Sequence, residues 1–259
     1  MMIIILLVLG SIGGFLSGLL GIGGAIIMIP LMLYIPPALG AGLLTMKTVA
    51  GLSMIQVFFS SLSGIYRHRK NNFIHTKLLL VMGSGMLIGS MTGGLVSDWM
   101  DNDVITIVFG ILALCAAILM MFPPPHRDET TLDLIALRFN PYAAFFLSLI
   151  TGFLSGIAGA GGGFILIPIM IYLLRVPTKI AIGTSIGVVF LGAMFGAAGK
   201  AFTGQIDWLY VLPLVFTSIP FAQLGGITSR KVSAKWLRYM LLVIILITCF
   251  QVWKGILGA

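Results

Sequence analysis

One glycine-rich stretch occurs twice in this chain, and it limits what the chain can become. Residues 14–34 read GFLSGLLGIGGAIIMIPLMLY, and residues 152–172 read GFLSGIAGAGGGFILIPIMIY. At an offset of 138, 13 of the 21 aligned positions are identical, including Gly21/Gly159, Gly23/Gly161, Gly24/Gly162 and Pro30/Pro168. In both copies an apolar segment meets a cluster of glycines, and a short apolar run containing a proline follows. Glycine gives up the most backbone freedom on ordering and takes turn conformations readily, so each cluster predicts a broken helix.

The segments around the breaks are too apolar for a soluble domain. Hydrophobic residues make up 59% of the chain and charged residues only 8%. Crossing ~30 Å of hydrocarbon takes about 20 apolar residues, and runs of that kind follow one another along the sequence. They are continuously apolar and do not alternate, which excludes a β-barrel. Ten hydrophobic segments are expected, at 2–20, 24–35, 46–66, 77–97 and 103–122, then 141–158, 163–174, 179–200, 208–228 and 235–257. Between them, residues 123–140 (PPPHRDETTLDLIALRFN) form the one substantial polar stretch and read as a cytoplasmic linker. The first segment lacks the basic start of a signal peptide and has a counterpart in mid-chain, so it reads as a mature helix.

The duplication continues at an offset of 132, because the first half carries six extra residues near Pro36 and Pro37. Lys47 then matches Lys179, Gly51 matches Gly183, Ser53 matches Ser185, Gly64 matches Gly196 and Ser97 matches Ser229. If every segment reverses the side of the chain, 12 Lys and Arg fall on one face and only Lys47, Lys200 and Lys254 on the other. The rich face is expected to be cytoplasmic, with both termini outside. Five segments per half is an odd number, so the second half enters the membrane upside down. The expected fold is an all-α polytopic membrane protein made of two inverted-topology repeats, 1–122 and 141–259, each with a short Gly/Pro-interrupted half-helix. Secondary transporters commonly show such repeats.

The short segments are the strongest pointers to a site. At ~1.5 Å per residue they cover about 18 Å, too little to cross alone. A helix start inside the membrane leaves amide hydrogens without intrahelical partners, and these must face protein or a wet cavity. Free amides and the positive end of the helix dipole favour an anion. Gly21, Gly23, Gly24, Gly159, Gly161, Gly162 and Gly163 are therefore candidates to line such a cavity. By contrast Gly14, Gly18, Gly152 and Gly156, four apart on their helices, read as close-packing positions.

Together, GLLGIGGAIIMIP, GIAGAGGGFILIP, AIGTS at 181–185 and LGGITSR at 224–230 resemble the TauE/SafE sulfite exporter family, also called the 4-toluene sulfonate uptake permeases. The resemblance spans nearly the whole chain. It implies a bacterial or archaeal inner-membrane carrier of sulfite, sulfonates or other small organic anions. One departure is that Gly183-Thr184-Ser185 has Gly51-Leu52-Ser53 as its counterpart, so the first half is expected to be poorer in hydroxyls.

Polar side chains that could complete an anion site are Ser53, Gln56, Thr184, Ser185 and Gln223. Each has an ordinary alternative as a helix–helix hydrogen bond. Lys47 and Lys179, at matching helix starts, are candidates to draw anions to the two entrances, the alternative being interfacial snorkelling. All seven carboxylates and the three histidines fall in loops or at segment edges, so no ionisable group is expected inside the bundle. No nucleotide-binding loop is present, and Cys115 and Cys249 lack metal-site spacing, so neither a cofactor nor a metal is expected. No catalytic cluster converges, which argues against an enzyme. The expected partners are a small anion and the lipid bilayer, with homodimerisation left open and nucleic acid excluded. Potential-driven export is the favoured mode, with a passive anion channel or an exporter of another small metabolite as alternatives.

Overall fold

The structure is a computed structural model that describes residues 1–21, 24–68, 74–122, 139–229 and 231–258. Gly23 and most of the linker, 123–138, lie outside the described residues. The described residues are all-helical. In chain order the helices are α1 (Met2–Leu20), α2 (Ala25–Ala38), α3 (Met46–His68), α4 (Thr76–Val96) and α5 (Asn102–Met121). The second half contributes α6 (Pro141–Ala158), α7 (Gly163–Pro168), α8 (Thr178–Phe202), α9 (Trp208–Ser229) and α10 (Ala234–Leu257). Among the described residues, eight of these are long and apolar enough to cross a membrane, and α2 and α7 are the short ones. α7 runs on through a π-helical turn, Ile169–Leu173, directly after Pro168. Proline lacks the amide hydrogen of a regular turn and crowds the turn before it, which favours such a widening.

Two helices form the centre. The apolar stretches of α3 and α8 are 72% and 78% buried, against 33% for α9 and 22% for α10. α3 and α8 cross antiparallel. Met54 lies against Gly196, Gly64 against Ile186, and between them the rings of Phe58 and Phe190 stack at 5.4 Å and 22°. Outward-facing residues of α9 and α10 such as Leu212, Phe216, Val243, Ile247 and Phe250 stay exposed, the surface expected to meet lipid chains.

Glycine stripes bring the outer helices close. α1 runs parallel to α9, with Gly10, Gly14 and Gly18 seated on the backbone of Leu214, Ser218 and Ala222. α6 runs parallel to α4 in the same manner, Gly152 against Met86 and Gly156 against Ser90, with Gly89 and Gly93 answering from α4. A methyl group at Gly14 would lie 2.6 Å from the Ser218 Cα, and one at Gly156 2.9 Å from the Ser90 Cα. Lipid chains are as apolar as leucine, so close packing of this kind, not exclusion from water, holds helices together in a bilayer. The packing role expected for Gly14, Gly18, Gly152 and Gly156 is what the fold displays.

Gly18→Ala drives a methyl group into the Ala222 carbonyl, whereas Gly64→Ala meets only Ile186, at an ordinary 3.5 Å. Gly18→Ala should cost about 1–3 kcal/mol of stability, and Gly64→Ala should be neutral or stabilising by up to about 1 kcal/mol. Thermal unfolding of the two purified variants checks the contrast, and equal melting temperatures would contradict it.

Candidate functional site

The two breaks have the same local construction. α1 ends on Gly21 (φ 72°) and α6 on Gly159 (φ 73°), whose amides return to the carbonyls of Ser17 and Ser155. The short helices then begin after Gly24 (φ 75°) and Gly162 (φ 72°), and neither start carries a side-chain cap. Left-handed backbone of this kind strains any side chain but glycine's, so the repeated glycines are a requirement of the turn.

Each break rests on the central helix of the other half. Gly21 sits 2.9 Å, measured from a notional Cβ, from the Ile182 carbonyl of α8, and Gly159 packs on Ala50 of α3. Gly161 packs on Val57 and Gly162 on Met86, while Gly163 is buried at the first turn of α7. Gly24 folds back against Gly13, so α2 begins alongside α1 and not beyond its end.

Polar groups gather on α3 between the two breaks. Ala50, Ser53 and Val57 share the face against the α6–α7 break. Gln56, on the adjoining face, directs its Nε2 towards Gly13 and Met28 beside the α1–α2 break. Ser53 and Gln56 are both fully buried, and Ser53 Oγ, Gln56 Nε2 and Gln56 Oε1 have no hydrogen-bond partner. Leaving a buried donor or acceptor unsatisfied costs about 1–3 kcal/mol, so three together mark a place that a guest with complementary polarity would stabilise.

The other candidates are disposed differently. Ser185 Oγ donates to the Gly21 carbonyl at 3.1 Å and to Ile182 O at 2.9 Å, fastening α8 to the first break. Thr184 Oγ1 accepts the His75 amide at 3.1 Å and so ties α8 to the start of α4. The half expected to be poorer in hydroxyls thus holds the unpartnered groups, because the extra hydroxyl of the other half is consumed by structure. Gln223 lies on an exposed face of α9 and is not brought to either break. Lys179 is exposed at the start of α8, and Lys47 is half-buried with Nζ on the Asp98 carbonyl at 2.7 Å.

One residue overturns an expectation. Lys200, counted from the sequence as a charge at a segment edge, is fully buried within α8. Its Nζ donates to Ser97 Oγ (2.8 Å), Gln205 Oε1 (3.0 Å) and the Ile157 carbonyl in the last turn of α6 (3.2 Å). A cation suits that place, since it faces the negative end of the α6 dipole. The sequence carried a signal for it: Lys200 continues the four-residue spacing of Gly192 and Gly196, both on the packed face of α8. An ionisable group therefore does stand inside the bundle. Among the described residues no cluster of three or more His, Cys, Asp or Glu could hold a metal ion.

An all-helical, multi-pass bundle whose broken helices meet unpartnered polar groups in its interior is the architecture of a membrane transporter. Residues 6–252 match the family described as Sulfite exporter TauE/SafE, and the chain belongs to that family. It is 29% identical to the probable membrane transporter protein YunE of Bacillus subtilis, over 99% of each chain. Its identity to a probable membrane transporter protein of Methanocaldococcus jannaschii is 32%, over 92% of this chain and 90% of the relative. A probable membrane transporter protein of Xylella fastidiosa is 25% identical over 95% and 93%. No solved structure matches the chain.

The matched serines give a test that needs no substrate. Ser185→Ala removes a buried bond and leaves the Gly21 carbonyl unmet, so it should destabilise by about 1 kcal/mol or more. Ser53→Ala removes an orphan hydroxyl and should be neutral or slightly stabilising. Thermal unfolding in anion-poor buffer reads both, and a Ser53→Ala loss as large as that of Ser185→Ala would contradict the assignment.

Proposed function

We infer that the chain is a secondary transporter that exports small sulfur-containing or organic anions, such as sulfite or sulfonates, across the bacterial or archaeal inner membrane. The observation that carries this reading is the pair of unpartnered buried donors, Ser53 Oγ and Gln56 Nε2, on the helix that meets both breaks. The hydroxyl and the amide supply donors, the backbone at the breaks supplies more, and an anion accepts from all of them. The family's description supports sulfite or a related oxyanion as the cargo.

The same reading takes 1–122 and 141–259 as inverted repeats joined by a cytoplasmic linker at 123–140, with both termini outside. Its support is the antiparallel crossing of α3 and α8 at the matched residues Phe58 and Phe190. The pairing of α1 with α9 and of α6 with α4 also interchanges when the halves are exchanged. Two such halves can rock about a fixed central site. A membrane potential that is negative inside contributes ~2.3 kcal/mol per charge per 100 mV, which is enough to drive a monoanion outwards without another ion.

Proteoliposomes loaded with sulfite or methanesulfonate provide the test. Saturable efflux that grows with an inside-negative potential is expected. Gln56→Leu should lower it at least about tenfold, a change of ~1.4 kcal/mol in the transport barrier, with no loss of thermal stability. Gly162→Val should abolish flux. Unimpaired efflux by Gln56→Leu would overturn the central site, and unitary currents near diffusion rates would make the protein a channel.

A further inference from the structure

Away from Ser53 and Gln56, the molecule has an open cleft of about 710 Å³ between the start of α3 and the turn joining α8 to α9. Its wall carries Lys47 and the hydroxyl-bearing residues Thr45, Thr48 and Thr203, with Gln205 beneath them. Gln205 Oε1 is held by the ammonium of Lys200, so that buried charge lies one side chain below the cleft floor.

All three hydrogen bonds of Lys200 end on neutral oxygens, from Ser97, Gln205 and Ile157. Lys47 likewise spends its Nζ on the backbone carbonyl of Asp98. Burying a cation is costly unless its charge is compensated, and none of those three partners carries a counter-charge. Two carboxylates also line the cleft and act in the opposite sense. Asp207 is exposed, caps α9 through the Leu209 amide at 3.1 Å, and is screened by solvent. Asp98 is half-buried beside Lys47 and also attracts the Lys200 charge, an attraction outweighed by the repulsion from Lys47. The field of the wholly buried Lys200 is the least screened of the four.

We propose that this cleft is a second anion site, an outer station that takes one small oxyanion of the sulfonate or sulfite class. Lys47 and the paired hydroxyls of Thr45 and Thr48 bind it directly. Lys200 is a positioning residue that supplies the counter-charge through Gln205. Because Lys200 also holds Ile157, two residues before the Gly159 break, an anion arriving at the station acts on the end of α6. The proposed function of Ser53 and Gln56 supplies the class of ligand. The station itself rests on the cleft and on Lys200.

The experiment is calorimetric titration of the purified full-length protein in detergent with choline methanesulfonate, with sodium chloride and choline chloride as controls. A Ser53→Ala/Gln56→Leu protein, which lacks the central donors, should keep one salt-sensitive binding event. In that background Lys200→Met should weaken the event at least about tenfold and Lys200→Arg should recover part of it. Lys47→Met, on the cleft wall, should weaken it severalfold and decides the matter if Lys200→Met is not monodisperse. Loss of all binding in the double variant, or residual binding indifferent to Lys200→Met and Lys47→Met, overturns the outer station and leaves the central site standing. Heats from sodium chloride that choline chloride does not reproduce overturn it in favour of a cation held by Asp98 and Asp207, and heats from choline chloride equal to those from choline methanesulfonate overturn the oxyanion class. If the unsubstituted protein itself shows only one event, and that event survives in the double variant and vanishes with Lys200→Met, the station is supported and the central site is overturned instead.

Discussion

A hydrocarbon interior offers no water to a free amide or carbonyl, so a helix can be interrupted inside a membrane only where protein surrounds the interruption. Much of this architecture answers that constraint. Both breaks turn through left-handed glycines, and both rest on the central helix of the opposite half, Gly21 on α8 and Gly159 on α3. The central helices are accordingly the most buried of the eight long ones, while α9 and α10 turn apolar side chains outward. Satisfying the first break takes a hydroxyl from Ser185, whereas its counterpart Ser53 is left without a partner. The two halves are thus alike in backbone and unlike in chemistry.

Glycine serves a second purpose in the same bundle. The stripes on α1, α4 and α6 carry no turn; they let backbones approach to distances a methyl group would forbid. Packing that tight has few intermediate arrangements, and it also joins α4 to α8, where Gly94 sits against the Gly196 carbonyl and Gly199 against that of Met91. The buried Lys200 links these helices to the α8–α9 turn, because its three hydrogen bonds reach α6, the end of α4 and Gln205 at once.

Ten helices were legible because membrane helices advertise themselves by length and apolarity, and the breaks by glycine. Most observed boundaries fall within a residue or two of those expected; α2 is the exception, running three residues further through Pro36 and Pro37 to Ala38. The close-packing glycines were legible from their four-residue spacing. The surroundings of Gln223, on an exposed face, and of Thr184, on the His75 amide, were not legible, because a polar residue in an apolar helix looks the same whether it faces lipid, a backbone amide or a cavity. Lys200 was misread because a charge near a helix end resembles an interfacial anchor, and only the turn at Thr203 and Gly204 folds Gln205 back over it.

What the sequence determined by itself is the class of molecule: a chain this apolar, with a duplicated break, has to span a membrane and bury two interrupted helices within it. Which side chains are spent on structure and which are left free was decided only by the tertiary arrangement. Hydrogen-bond satisfaction depends on partners more than 100 residues away, as Ser185 with Gly21 and Lys200 with Ser97 illustrate. Local pattern carries no record of such partners, because a helix exposes the same hydroxyl whatever comes to meet it.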